Sequence, residues 1–113
     1  GLLCALCLAQ PPRYSRARAA LAYDEVGRKL ISRFKYGDKL HLLPIFAPLL
    51  RRAAADLLTG VDYAVPVPLH WTRLWRRRFN QSVLLAQTLG IPVNVTCLIR
   101  QRATKRQVGM SRE

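Results

Sequence analysis

Four arginines stand within six positions of this chain, directly after a short apolar segment. Residues 65–81 read VPVPLHWTRLWRRRFNQ, and the arginines occupy positions 73, 76, 77 and 78. A strand that ends in a cationic loop and leads into a helix is a common phosphate-binding arrangement, because free helix N–H groups and arginine forks both donate to an anion. The pattern predicts an anion site, with Arg77, Asn80 and Gln81 as its central contacts. A helix cap at Asn80 beside a solvated arginine face is the simpler alternative.

The charge of the chain favours an anionic partner. The 113 residues carry a formal net charge of +13, and nine Lys and Arg residues but no Asp or Glu occur between Tyr63 and Arg112. Unbalanced charge on this scale repels itself, which favours phosphate, a nucleotide or nucleic acid as the ligand over a merely soluble basic face. No Ser/His/Asp, Cys/His or paired-carboxylate pattern is present, so the sequence offers no residues for hydrolytic catalysis.

Length and hydropathy indicate a single globular domain. Half of the residues, 50%, are hydrophobic, which suits a modest core in a chain of this size. No apolar run approaches the roughly 18 residues of a membrane span. The amino-terminal residues GLLCALCLAQPP lack the basic start of a signal peptide. We therefore expect a cytoplasmic protein without a membrane span.

Cys4 and Cys7 form a CxxC pair beside the amino terminus. Two thiolates supply half of the four ligands of a structural zinc ion, and the sequence has no second pair. Three interpretations stay open, namely half of a zinc ribbon, a dithiol or disulfide, and plain buried cysteines. The third cysteine, Cys97, stands in an apolar strand pattern, where a small buried residue is expected.

Hydrophobic spacing places two helices ahead of the arginine-rich segment. Asp24 suits the N-cap of a helix over residues 25–36, whose apolar residues recur at helical spacing. The outward-facing basic residues of this helix are Arg28, Lys29, Arg33 and Lys35. A second helix is expected over residues 40–58, starting near Pro44. Residues 16–23 alternate loosely and predict an edge strand.

The second half of the chain predicts an α/β arrangement. Apolar residues 63–65 and β-branched residues 93–99 suit strands, and residues 80–89 between them suit a helix. Strand, helix and strand in this order form a βαβ unit, which implies parallel pairing and a right-handed crossover. Residues 100–113 have no sustained apolar period, and we expect a mobile basic loop there.

The order of four segments, CxxC, FKYGD, DYAVPVPLHWTRLWRRRFNQS and RATKRQVGMSRE, resembles the ComF family of phosphoribosyltransferase-like proteins, including its competence and DNA-utilisation members. The resemblance covers nearly the whole chain. It implies a partial type I phosphoribosyltransferase-like βαβ unit preceded by a helical hood segment. The implied boundaries are a zinc-ribbon remnant with Cys4 and Cys7 at 1–12, the hood at 13–62 and an incomplete transferase-like core at 63–113.

The resemblance also implies functional segments and residues. Residues 65–68 would form the first core strand, 69–72 the pyrophosphate-binding loop and 100–113 the start of a flexible loop that closes over the active site. Lys35, Tyr36 and Asp38 would cap the mouth of the site from the hood, or would simply form an ordinary helix-end turn. The implied phosphate and substrate ligands are Leu69, His70, Arg73, Arg77, Asn80, Gln81, Gln107 and Ser111. No catalytic residue is assigned.

Two departures from the family pattern bear on activity. Arg78 stands where the family usually has glycine, which places a side chain where the backbone could approach a ligand closely. The acidic pair and Thr/Gly turn of the phosphoribosyl-diphosphate loop are absent from this sequence. We therefore expect a chain that is truncated before that loop and is catalytically incomplete as a transferase. The expected cofactors are Mg²⁺ in the complete protein and Zn²⁺ at an incomplete cysteine site.

The expected function is binding of a phosphorylated ribose or nucleotide by a protein linked to DNA uptake or utilisation. The alternative is a basic single-stranded DNA-binding module of the competence machinery without transferase activity. Trp71, Trp75 and Phe79, interleaved with arginine, fit base stacking as well as ordinary core or rim packing. DNA-uptake proteins are further candidate partners, and a fragment without activity of its own is the third interpretation.

Overall fold

The structure is a computed structural model that describes residues 4–36 and 40–103. Over these residues the chain forms the helices α1 (Ala5–Ala9), α2 (Glu25–Tyr36), α3 (Leu43–Ala54), α4 (Trp71–Arg77) and α5 (Gln81–Gln87). Short 3-10 turns at Leu40–Leu42 and Ala55–Leu57 flank α3. Within this part of the chain, no helix has the length and apolar character needed to cross a membrane.

The first long helix, α2, starts and ends where its sequence predicts. Asp24 is its N-cap, since Oδ1 of Asp24 accepts a hydrogen bond of 2.7 Å from the Gly27 N–H, which satisfies one of the free donors at the helix start. Near its other end, α2 buries Phe34, whose ring lies 4.9 Å from the ring of Phe46 on α3. This aromatic pair holds the two helices together.

The core is small and lies around α3. This helix packs against α5, and the buried hydrophobic residues of the described chain are Phe34, Phe46, Ala47, Ala54 and Ala86. The predicted second helix is confirmed as a continuous helical stretch, with Pro44 in the first turn of α3, where its missing N–H has no intrahelical partner to lose. Three of the five buried residues are alanine, so this core has little apolar area to stabilise the fold.

The predicted α/β fold with a βαβ unit is wrong. The parts of the chain that the structure describes are helical and contain neither a strand nor a sheet. The segments predicted as strands meet only at an isolated parallel bridge between Ala64 and Val93. There the Ala64 N–H donates to the Pro92 carbonyl at 2.8 Å, and the Asn94 N–H donates to the Ala64 carbonyl at 2.9 Å.

Local chemistry explains why this pairing does not extend into a ladder. The next donor toward Asn94 in a parallel register would be residue 66, which is a proline without an N–H. On the other side, Oδ1 of Asn94 accepts hydrogen bonds from the Thr96 and Cys97 N–H groups at 3.1 and 3.0 Å. This Asx-type turn bends the chain away from an extended path.

Three further expectations are corrected. Residues 16–23 form no edge strand. Residues 69–72 are not wholly a loop, because α4 begins at Trp71. Cys97 is exposed, not a buried strand residue, since the turn at Asn94 replaces the strand that would have buried it.

Candidate anion-binding cleft

An open cleft of about 1210 Å³ is bounded by α2, the segment before α4, α4 itself and the start of α5. Seven of its lining side chains are Lys or Arg, and none of the described lining residues is acidic. The cationic residues are Arg28, Lys29, Arg33, Lys35, Arg73, Arg77 and Arg100. Positive charge concentrated along one concave surface raises the local concentration of anions and speeds their arrival.

Four of the cationic residues form two pairs, and the members of each pair are four residues apart on one helix. Lys29 and Arg33 stand four residues apart on α2, and Arg73 and Arg77 stand four residues apart on α4. Residues at this spacing are neighbours on one helix face. Lys29 also forms a 2.6 Å ion pair with Glu25, but both side chains are exposed, so this pair adds little stability.

Arg77 is held against an aromatic ring from the other side of the cleft. Its guanidinium carbon lies 5.1 Å from the centre of the Tyr36 ring, within the range of a cation–π interaction. Such a contact leaves the N–H groups of the guanidinium plane available to donate to a phosphate. Tyr36 therefore lies beside a predicted ligand-binding arginine. This placement is consistent with the interpretation that the end of α2 caps the mouth of the site.

Two amides fix the junction between α2 and α5. Gln81 is buried, with 7% of its surface exposed, and its Nε2 donates to the Lys35 carbonyl at 3.1 Å. Asn80 is the N-cap of α5, since its Oδ1 accepts from the Ser82 N–H at 2.9 Å while its Nδ2 donates to the Val67 carbonyl at 3.1 Å. Both amides therefore position backbone around the cleft as well as lining it.

The start of α4 is fixed by His70. This residue is only 8% exposed, and its Nδ1 lies 2.8 Å from Thr72 Oγ1 and accepts from the Thr72 N–H at 3.4 Å. The imidazole thus takes the N-cap position that a short polar side chain usually fills. The other end of α4 is capped by Arg78, whose φ of 63° lies in the left-handed region.

Most of the sequence-predicted ligands come together here. Leu69, Arg73, Arg77, Asn80 and Gln81 line the cleft. His70 is adjacent in sequence, but it is buried as a helix cap and is not among the lining residues. Asp38, Gln107 and Ser111 lie outside the residues that the structure describes.

Sequence reasoning missed the contribution of α2 to this site. Arg28, Lys29 and Arg33 are exposed, as the sequence predicts, and together with Arg100 they also line the open cleft. The sequence features that could have indicated their role are the basic residues on the outward face of α2 and the net positive charge of the chain. Only the packing of α2 against α3 and the Gln81 bond bring those basic residues beside α4.

A second concavity of about 560 Å³ adjoins the cleft and is apolar. It is lined mainly by hydrophobic side chains from α4, the junction between α4 and α5, α5 and the segment after the parallel bridge, namely Trp71, Leu74, Phe79, Val83, Leu84, Val95, Leu98 and Ile99. Several of these are largely exposed, among them Trp71 at 68% and Ile99 at 80%.

The cysteine pair lies at the start of α1, and neither cysteine is among the cleft-lining residues. Cys4 is the N-cap of this short helix, and its Sγ accepts from the Cys7 N–H at 3.4 Å. This hydrogen bond, with a further one from the Cys7 thiol, lowers the pKa of Cys4 below that of an ordinary thiol, whereas the same thiol contact raises the pKa of Cys7. Nowhere in the described chain do three or more His, Cys, Asp or Glu residues cluster as a metal site, so this pair fits only half of a zinc site.

The cleft itself does not suit Mg²⁺. Magnesium is held in proteins by one or two carboxylates together with phosphate and water oxygens. The described lining of the cleft supplies cationic N–H donors and no carboxylate. The described lining residues of the cleft therefore offer no carboxylate ligand to Mg²⁺.

Comparison with known proteins identifies relatives of this chain. It is 33% identical to Competence protein F of Haemophilus influenzae over 96% of this chain and 51% of that protein. It is 34% identical to DNA utilization protein YhgH of Salmonella typhimurium, over 98% and 53%, and 36% identical to the protein of that name in Escherichia coli, over 79% and 41%. The chain thus spans about half the length of these relatives. No protein-family model and no solved structure matches it.

Proposed function

The chain belongs to the ComF family, and from that premise we propose that its cationic cleft binds the phosphate of a phosphorylated ribose or nucleotide. The relatives are named for competence and DNA utilisation, and a role in the uptake or use of DNA is part of the proposal. The observation that carries it is the convergence of six Lys and Arg side chains from α2 and α4, together with Arg100, on one cleft.

Two features support a defined site over a diffuse basic surface. The Arg77 guanidinium is oriented by the Tyr36 ring, so less side-chain freedom is lost when a ligand binds. The buried Gln81 ties the end of α2 to the start of α5, the helix that follows α4 in the chain. A preformed pair of walls is what a small phosphorylated ligand requires.

Calorimetric titration tests the proposal. Ribose 5-phosphate and adenosine monophosphate are expected to bind with a stoichiometry of one, and the matching compounds without phosphate, ribose and adenosine, are expected not to bind measurably. The phosphate makes the difference because charge-assisted hydrogen bonds to arginine are the strongest contacts that the cleft offers. Equal weak binding of phosphorylated and unphosphorylated compounds would contradict a phosphate site.

The second candidate function is binding of single-stranded DNA, and it is favoured by the exposed face of α4. Trp75 is 86% exposed and Trp71 68% exposed, one helical turn apart, on the helix that carries Arg73 and Arg77. Exposed aromatics beside cations are the elements of a base-stacking surface. A salt titration separates the candidates, because backbone tracking predicts a steep, sequence-independent loss of DNA affinity as salt is raised.

A further inference from the structure

Helix α4 turns an apolar face toward solvent. Trp71, Leu74 and Trp75 stand at positions i, i+3 and i+4, which places them side by side on one face of the helix. Their exposed fractions are 68%, 43% and 86%. The arginines at positions 73 and 77 lie on the opposite face and line the cleft. A surface helix ordinarily directs its apolar stripe at the core, so α4 has the reverse arrangement.

The segment after the parallel bridge extends this apolar surface. Val95, Leu98 and Ile99 are 55%, 53% and 80% exposed, and they line the apolar concavity together with two residues of α4. We call the combined surface the tryptophan face, and its six residues are Trp71, Leu74, Trp75, Val95, Leu98 and Ile99. None of the six lines the cationic cleft. A contiguous exposed apolar patch marks a surface that binds a protein or a membrane.

Positive charge borders the tryptophan face. Arg78 is exposed at the end of α4, Arg100 lines the apolar concavity, and Arg102 is exposed two positions later. Tryptophan and aliphatic side chains beside arginine match the headgroup level of an anionic bilayer, where apolar side chains enter the acyl boundary and arginine is attracted to lipid phosphate. A second copy of the chain fits poorly, because each copy carries a formal net charge of +13.

The composition of the face favours lipid over single-stranded DNA. Bases stack on aromatic rings, and only two of the six residues are aromatic. The other four are aliphatic, and they gain free energy in proportion to the apolar area that leaves water. An acyl boundary covers all six residues, whereas stacked bases use the two tryptophans alone.

We propose that the tryptophan face docks on an anionic lipid surface, with Trp71 and Trp75 at the level of the headgroups. The bordering arginines supply the attraction to lipid phosphate. This inference goes beyond the proposed function, since it adds a docking surface outside the cleft.

The test is co-sedimentation of the full chain with vesicles of phosphatidylcholine alone and of phosphatidylcholine with an equal part of phosphatidylglycerol. Partitioning to the anionic vesicles is expected to be at least about tenfold stronger. The chain has two tryptophans, and both lie on this face, so their fluorescence reports it directly. Their emission is expected to shift to shorter wavelength on anionic vesicles and to be quenched by brominated acyl chains. This fluorescence arm uses the unmodified protein.

Matched variants separate the face from exposed apolar residues elsewhere. The double change Leu98→Ser and Ile99→Ser lies outside the helices and is expected to weaken partitioning at least about tenfold. The double change Val26→Ser and Ile45→Ser removes exposed apolar side chains from α2 and α3, and it is expected to leave partitioning unchanged.

The contrary outcomes are distinct. Equal partitioning to both vesicles, equal losses in the two double variants, or binding without quenching by brominated chains would overturn the inference. Tryptophan quenching by oligothymidylate without vesicle binding would assign the face to single-stranded DNA. A dimer in sedimentation velocity that Leu98→Ser and Ile99→Ser dissociate, without vesicle binding, would assign it to a second copy. Each of these results leaves the phosphate-binding cleft untouched, so the inference and the proposed function fail separately.

Discussion

The side-chain amide of Gln81 on α5 donates a 3.1 Å hydrogen bond to the backbone carbonyl of Lys35 on α2. That carbonyl belongs to the last turn of α2, where carbonyls have no partner within the helix. A residue predicted to contact a ligand thus also satisfies a helix end 46 positions earlier in the chain. The cleft is shaped by this bond, because it joins two of the elements that line it.

Replacement of Gln81 by alanine is expected to destabilise the protein by about 1–3 kcal/mol, because a part-buried carbonyl loses its donor. Urea denaturation measures this change. The matched control is Gln87→Ala, at an exposed position of the same helix, with an expected change within about 0.5 kcal/mol. Similar small effects of both changes would show that the bond to Lys35 contributes nothing.

Arg78 adopts a left-handed backbone conformation that residues with a Cβ rarely adopt. Its φ of 63° is unfavourable for any residue with a Cβ by roughly 1–2 kcal/mol, and glycine is the usual residue at such a helix end. Arg78→Gly is expected to raise the free energy of unfolding by up to about 1 kcal/mol after the entropy cost of glycine is subtracted. Arg78→Ala separates backbone from charge, since it removes the guanidinium but keeps the Cβ. A gain of the same size in both variants would assign the effect to charge.

Replacement of Gly27 by alanine is expected to destabilise the protein. A Cβ at this position of α2 would collide with the backbone carbonyl oxygen of Ala22, which cannot move aside as a flexible side chain would. Gly27→Ala is therefore expected to cost about 1–3 kcal/mol, although alanine normally stabilises a helix interior by about 1 kcal/mol relative to glycine. Thermal or urea unfolding measures the sign. Val26→Ala, at an exposed neighbouring position, is the control and is expected to change stability by less than about 0.5 kcal/mol.

Arg77 is expected to dominate phosphate binding. Arg77→Ala removes a charge-assisted contact worth roughly 1.5–3 kcal/mol, which corresponds to about a tenfold to hundredfold loss in affinity for ribose 5-phosphate. Arg52→Ala, on the exposed surface of α3, removes the same charge and is expected to have almost no effect. Titration of both variants at two salt concentrations measures the difference. Equal small losses would mean that the positive charge acts as a diffuse surface property.

Cys4 and Cys7 are expected to differ in reactivity. The Cys7 N–H stabilises the Cys4 thiolate, so the pKa of Cys4 is lowered while that of Cys7 is raised. As pH rises, Cys4 should be alkylated by iodoacetamide first, because the thiolate is the nucleophile. Peptide mass spectrometry over a pH series gives the two midpoints, which do not depend on the difference in exposure. The midpoints should converge in urea, and identical midpoints in the folded protein would show that the hydrogen bond has no effect on the thiols.

Local sequence chemistry was enough to predict the long helices. Asp24 and the apolar spacing that follows determine α2, and Pro44 determines where α3 begins, because capping and proline geometry act over a few residues. The arginine-rich segment was likewise identified from charge density alone. Sequence reasoning could not decide between opposing local preferences in the second half of the chain. The apolar residues 93–99 favour a strand, whereas the turn at Asn94 and the missing N–H groups of the prolines at 66 and 68 oppose strand pairing.

The sequence by itself determined the charge, the positions of α2 and α3, and the arginine-rich region proposed to bind an anion, because each depends on residues close together in the chain. The tertiary structure decided which cations meet. Arg33 and Arg77 stand 44 positions apart, and they line one cleft because Phe34 packs on Phe46 and Gln81 reaches Lys35. The single bridge between Ala64 and Val93 was likewise decided in three dimensions, where the missing N–H of Pro66 and the turn at Asn94 end the pairing after one residue.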